Sequence, residues 1–247
     1  KFGFFCSEAS TFKKIADELG LIRLSAPGEP LHYVRHPLVY LMEAADDICY
    51  EIMDIEDSHK LKILSFDETT ELLLGFFDKN TQTDILNRLK KEGVTDENEK
   101  IVYMRACVVG KLENECVQAF VDHEDEILHG TLKGTLIDNI SEPERLASKR
   151  CSEISYKRIY RSKPVLDIEL SGYKIMETLM QSLISAVVQP ERFHSKQIIG
   201  RVSSQYDIRS NNLETRIMAV LDYISGMTDV YALDVYQKLS GISLPIV

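Results

Sequence analysis

Nowhere in the 247 residues is there a run of about 18 apolar residues, so no segment is built to cross a bilayer as a helix. The first ten residues, Lys1 to Ser10, also lack the long apolar stretch of a secretory signal. Strand-like alternation is scarce, and the hairpin dipeptides Asn-Gly and Asp-Gly are absent. No internal repeat or low-complexity linker divides the chain. The five cysteines are never closer than nine positions, so no C-x-x-C zinc or redox spacing exists. Their odd number would leave a thiol over in any disulfide framework, and reduced thiols in a cytoplasmic protein are the expectation. Positive charge is also short: 29 Lys+Arg against 39 Asp+Glu leave a net charge of −10. That balance argues against general binding to nucleic acid or anionic membranes, while a local basic pocket remains compatible with it.

What is present is helix. Hydrophobic residues at 44% and charged residues at 28% are an ordinary globular balance. An amphipathic stretch from Ser10 to Leu19 stops at Gly20. Pro37 suits a first helical turn, where its missing N–H is not needed, and Leu38 to about Asp57 is free of Gly and Pro. Ser65 and Glu68 form a capping box ahead of Leu72, Leu73 and Leu74. A short helix over Thr81–Lys91 stops at Gly93. The longest segment opens at Thr95 and runs to Gly130, with Ile101, Met104, Val108, Leu112, Cys116 and Phe120 along one stripe. Ser141, Pro143 and Glu144 start another helix, and Pro164–Val188 and Leu213–Leu239 read as the last two long ones. The expectation is a single all-α region, 1–247, of about seven to nine helices.

The most informative stretch is His36-Pro-Leu-Val-Tyr-Leu-Met-Glu-Ala-Ala-Asp-Asp-Ile-Cys-Tyr-Glu-Ile-Met-Asp54. At about 100° per residue, Asp46, Tyr50 and Asp54 fall in one stripe of a helix, together with Leu38 and Met42. The apolar members predict that this stripe faces inward. Buried carboxylates need partners, and a metal ion, a sugar hydroxyl or an arginine would each serve. A solvated acidic helix is the competing reading, since Glu43, Asp47, Glu51, Glu56 and Asp57 read as surface charges.

The segment Arg35 to Tyr50 resembles the deoxyguanosinetriphosphate triphosphohydrolases of the HD-domain superfamily. So do Asp222-Tyr-Ile-Ser-Gly-Met-Thr-Asp229, with Tyr231 and Ala232 after it, and the opening Lys1-Phe-Gly-Phe-Phe. The resemblance implies an HD-domain-like fold, of which this chain is the C-terminal part. It also implies cleavage of dGTP or other dNTPs to deoxynucleoside and inorganic triphosphate. Such enzymes build a metal site from a His, a later His-Asp pair and a distant Asp, and that distant Asp matches Asp46. The residues beside the deoxyribose match Tyr50, whose ring would leave no room for a 2′-hydroxyl, and Asp54, which would accept the 3′-hydroxyl. The implied cofactor is a divalent cation, Mg²⁺ or Mn²⁺, polarising an α-phosphate oxygen and activating a water. The implied assembly is a homo-oligomer, with Phe76-Phe77 and Val187-Val188 as apolar surface, although either pair could equally be core.

Departures are equally plain. The first His and the His-Asp pair do not occur in this sequence. His123-Glu124-Asp125 has an intervening Glu, lies after Asp46 and reads as a solvated patch. The alternative function is therefore a non-catalytic HD-derived domain for nucleotide binding or assembly. Arg105 sits in the apolar turns Ile101–Val109, where it either meets a triphosphate or pairs with a helix carboxylate. Gly226 is expected to permit close helix packing, and Asp229 to cap or pair.

Overall fold

The computed structural model describes residues 3–243, which form eleven α-helices and no strand. One isolated antiparallel bridge, Arg23 to Tyr33, is the only sheet-like pairing among them. Lys1 and Phe2 of the opening motif lie outside the described residues. The helices are α1 Ala9–Glu18, α2 Pro37–Lys60, α3 Phe66–Leu74, α4 Lys79–Lys91, α5 Glu97–Asp122, α6 Glu124–Leu128, α7 Glu142–Ile154, α8 Lys163–Val188, α9 Phe193–Arg201, α10 Leu213–Ser225 and α11 Asp229–Leu239.

Eleven exceeds the seven to nine expected, because two long segments each break once. The Thr95–Gly130 segment starts at Asp96, whose side chain accepts from the Glu99 amide, and kinks at His123 before α6. The Leu213–Leu239 segment ends α10 at Gly226, and Thr228 then caps α11 by accepting from the Tyr231 amide. Gly226 is therefore the C-cap of α10, in the short connection to α11. A Cβ there would stand 3.1 Å from the Tyr206 hydroxyl and 3.2 Å from the Asp222 carbonyl. Asp229 is the exposed first residue of α11, and the cap falls to Thr228. The short α9 was not foreseen.

The helices pack as two compact units, Lys1–Ser162 and Lys163–Val247, each with its own core. In the first, α2 lies along α5, α3 packs on α5, and α7 packs on α2. Ile48, Ile52 and Ile55 of α2 and Met104, Val108 and Leu112 of α5 are fully buried in one cluster. Burial of each such side chain contributes about 1.5–3 kcal/mol. At the C-terminal end of α6, Gly130 has φ +68° and a Cβ there would lie 2.3 Å from Val34 Cγ1, so only glycine lets the 22–34 segment close over it. In the second unit α8 packs against α9, α10 and α11. Phe76 and Val187, weighed as assembly surface, are instead core residues of the first and second unit. Exposed apolar residues on α8 are Leu166, Ile168, Leu170, Tyr173, Met176 and Val188.

The capping box at α3 is formed as predicted. Ser65 Oγ accepts from the Glu68 amide at 3.2 Å, and Glu68 Oε2 accepts from the Ser65 amide at 2.9 Å. Arg158 adds a 2.6 Å ion pair to Glu68 Oε1 and, with the two Ser65 contacts, holds that carboxyl down at about 2. This depressed carboxyl stabilises the fold above its ordinary 4.5, and the contribution is lost as pH falls toward about 2. In Arg158→Ala the Glu68 midpoint is expected to rise toward its ordinary value, as read by carboxyl NMR titration. An unchanged midpoint would show that the helix cap alone depresses it.

Candidate functional site

Two stripes of α2 repeat every four residues. Tyr40, Ala44, Ile48 and Ile52 form one; Leu38, Met42, Asp46, Tyr50 and Asp54 form the other. They are offset by two positions, about 200° of helix, so packing one inward turns the other outward. The structure buries the first. Leu38 is 59% exposed, Met42 73% and Tyr50 67%, and Asp46 is exposed with them. The expected inward stripe is therefore the outward face of this unit, because the Ile and Ala side chains opposite fill the core beside α5.

The outward stripe nevertheless ends on a built feature. A cleft of about 850 Å³ opens beside Tyr50, between α2, α7 and the residues on either side of α7. Tyr50 and Glu51 line its α2 side; Arg145, Lys149, Tyr156 and Tyr160 face them. Ser141 precedes α7 and Pro143 lies in its first turn, so Arg145 and Lys149, one turn apart, both reach the cleft. Beyond α7 the backbone widens into a π-turn over Ser155–Ile159, in which the Tyr160 amide donates to the Ser155 carbonyl at 2.9 Å. Such turns re-aim side chains and are frequent at functional sites. Here the turn carries Tyr156 and leads into Tyr160.

Tyr160 donates its hydroxyl to Asp54 Oδ2, and this bond joins the stripe to the cleft. Burial first, and then the adjacent Asp54 carboxylate, push the Tyr160 phenol up to about 12, so it remains a donor across the physiological range. Glu51 accepts from Ser148 Oγ and Ser152 Oγ, both at 2.7 Å, yet burial outweighs these bonds and raises its pKa. Arg145 and Lys149 have no ion pair within 4.0 Å among the described residues. The cleft thus offers two available cations opposite carboxylates and phenols.

The structure places Tyr50 in the lining of this cleft, holds Asp54 behind it on the Tyr160 hydroxyl, leaves Asp46 one turn before Tyr50 on the open helix face, and sends Arg105 elsewhere. Arg105 Nε pairs with Glu56 Oε2 on α2, and Lys60 holds Glu56 Oε1 at 2.6 Å. Of the two readings of Arg105, the pairing with a helix carboxylate is the one formed, and Arg105 does not line the cleft. No group of three or more His, Cys, Asp or Glu residues is placed to hold a metal ion among the described residues. His123, at the α5–α6 kink, contacts Glu126 at 3.1 Å. Sequence reading missed Arg145, Lys149, Tyr156 and Tyr160. Their signal, paired basic and phenolic residues each four apart, was visible but had no nearby motif to attach to.

A phosphohydrolase-associated domain family matches residues 139–238, which include α7 and the π-turn. A deoxyguanosinetriphosphate triphosphohydrolase-like protein of Pseudomonas aeruginosa is 30% identical over 251 residues, covering 99% of this chain. Over nearly its whole length the chain is similar to deoxyguanosinetriphosphate triphosphohydrolase-like proteins. A Synechocystis triphosphohydrolase-like protein is 32% identical over 99% of the chain. A Yersinia pestis deoxyguanosinetriphosphate triphosphohydrolase is 26% identical over 96%. The chain spans about half the length of these relatives: 55%, 53% and 53%.

Proposed function

We propose that the protein hydrolyses deoxynucleoside triphosphates, dGTP among them, to deoxynucleoside and inorganic triphosphate, using the outward face of α2. The observation that carries this reading is the bond from Tyr160 to Asp54, which ties the stripe to a cleft where Arg145 and Lys149 have no ion pair among the described residues. With Oδ2 occupied by Tyr160, Asp54 keeps Oδ1 to accept a sugar hydroxyl. The exposed ring of Tyr50 supplies a flat wall for the deoxyribose, and Arg145 and Lys149 neutralise phosphate charge. Asp46 alone does not make a metal centre. It is proposed as one carboxylate ligand of a divalent cation, Mg²⁺ or Mn²⁺, that would supply Lewis acidity at the phosphate, with its other ligands outside these residues. The same reading takes the fold as HD-domain-like, the protein as cytoplasmic with reduced thiols, and the assembly as a homo-oligomer using apolar surface such as that of α8.

The direct test is product analysis with dGTP and the full-length protein: triphosphate, rather than pyrophosphate, is the expected product. Nucleotide binding without release of either would favour the non-catalytic alternative. Tyr50→Ala is expected to narrow the preference for dGTP over GTP by about tenfold, because the wall that excludes a 2′-hydroxyl is gone. Comparison of kcat/KM for the two nucleotides reads this directly, and an unchanged ratio would remove Tyr50 from sugar selection.

A further inference from the structure

In a chain of net charge −10, the second unit gathers three cationic side chains around one depression of about 400 Å³. Lys196 and Ile199 come from α9, Ile208, Arg209 and Ser210 from the segment that follows, and Arg216 from the start of α10. Arg216 Nε is buried and has no hydrogen-bond partner among the described residues. Arg209 donates from Nη2 to the Ile199 carbonyl at 3.3 Å, which anchors its guanidinium and leaves other donors available. No carboxylate lies within 4.0 Å of either guanidinium among the described residues. Lys196 is paired at 3.0 Å with Glu191, and both are well exposed, so they neutralise each other at the rim. The excess positive charge is therefore that of the two guanidinium groups.

A buried charged donor without an acceptor costs about 1–3 kcal/mol or more, and an anion seated against it offsets that cost. Two planar forks match the oxygens of a phosphate dianion, and Ser210 adds a hydroxyl donor beside them. The volume exceeds what a bare ion needs and falls within the range of about 300–1,000 Å³ usual for small-molecule pockets. Ile199 and Ile208, buried in the core of this unit, form the floor beneath it. We propose that this depression is a binding site for a small phosphomonoester, with its phosphate on Arg209 and Arg216 and its organic part in the remaining volume above Ile199 and Ile208. It shares no residue with the cleft beside Tyr50.

The test is an NMR titration of the isotope-labelled 247-residue chain with ribose 5-phosphate, following arginine Nε–H and isoleucine methyl signals. Saturable shifts are expected at Arg216 Nε–H and at the Ile199 and Ile208 methyls, with none from ribose alone. Arg209→Gln and Arg216→Gln are each expected to weaken binding by about tenfold or more, the loss of a charge-assisted hydrogen bond. Arg216→Lys, which keeps the charge and the stem, should also weaken it while preserving the methyl spectrum of the folded unit. Affinity unchanged in these variants would overturn the site, as would shifts centred on Arg145 and Lys149. Inorganic phosphate binding as tightly as ribose 5-phosphate, with both methyls still, would overturn the assignment of an organic phosphomonoester.

Discussion

Asp46→Asn in the full-length protein is expected to reduce triphosphate release from dGTP to background and to leave the fold intact. Asp46 stands on the open face of α2, away from the Ile48, Ile52 and Ile55 core, so its amide should change stability by no more than about 0.5 kcal/mol. Its proposed role is a different matter. A neutral amide is a much poorer ligand than a carboxylate for a hard divalent cation, and the variant should lose bound metal together with turnover. Metal content, thermal melting and dGTP turnover measured on one preparation separate the possibilities. Full activity would end the ligand assignment, and a large fall in melting temperature would make Asp46 a structural residue.

Arg105 is expected to show the converse pattern. Arg105→Met leaves Glu56, which is only 8% exposed, with Lys60 as its one remaining cation. Breaking a buried pair costs about 3–5 kcal/mol, and the retained Lys60 contact places the expected loss nearer 2 kcal/mol. Denaturant unfolding checks the value. Arg105→Met combined with Glu56→Leu should recover much of the loss, because no uncompensated carboxylate is then buried. A stable Arg105→Met protein with a raised KM for dGTP would instead return Arg105 to the phosphate.

The starts of helices were legible because their determinants are local. Pro37 follows His36, whose Nδ1 accepts from the Leu38 amide at 3.2 Å; Ser65 and Glu68 cap each other within four residues; Gly20 and Gly93 mark stops. The internal breaks were less legible. The kink at His123 interrupts a segment with no glycine or proline between Lys111 and His129, so nothing in its composition announces it. Gly226 and Thr228 were visible signals for the α10–α11 break, and a continuous apolar pattern concealed them.

Asp46, Tyr50 and Asp54 share a helix face as a matter of sequence, since a four-residue spacing admits no other arrangement on an unbroken helix. Which way that face turns was settled only by tertiary structure. The competing stripe has the same period, and its Ile48 and Ile52 are buried against residues some fifty positions further along the chain. The partners of the face were equally out of reach. Tyr160 meets Asp54 across 106 residues, and Ser148 meets Glu51 across 97. Helix type, caps and the spacing of the candidate residues were thus determined by the sequence read locally. The outward turn of α2, the diversion of Arg105 to Glu56, and the cations beside Tyr50 and within the second unit were decided by tertiary packing, because each depends on contacts between segments distant in sequence.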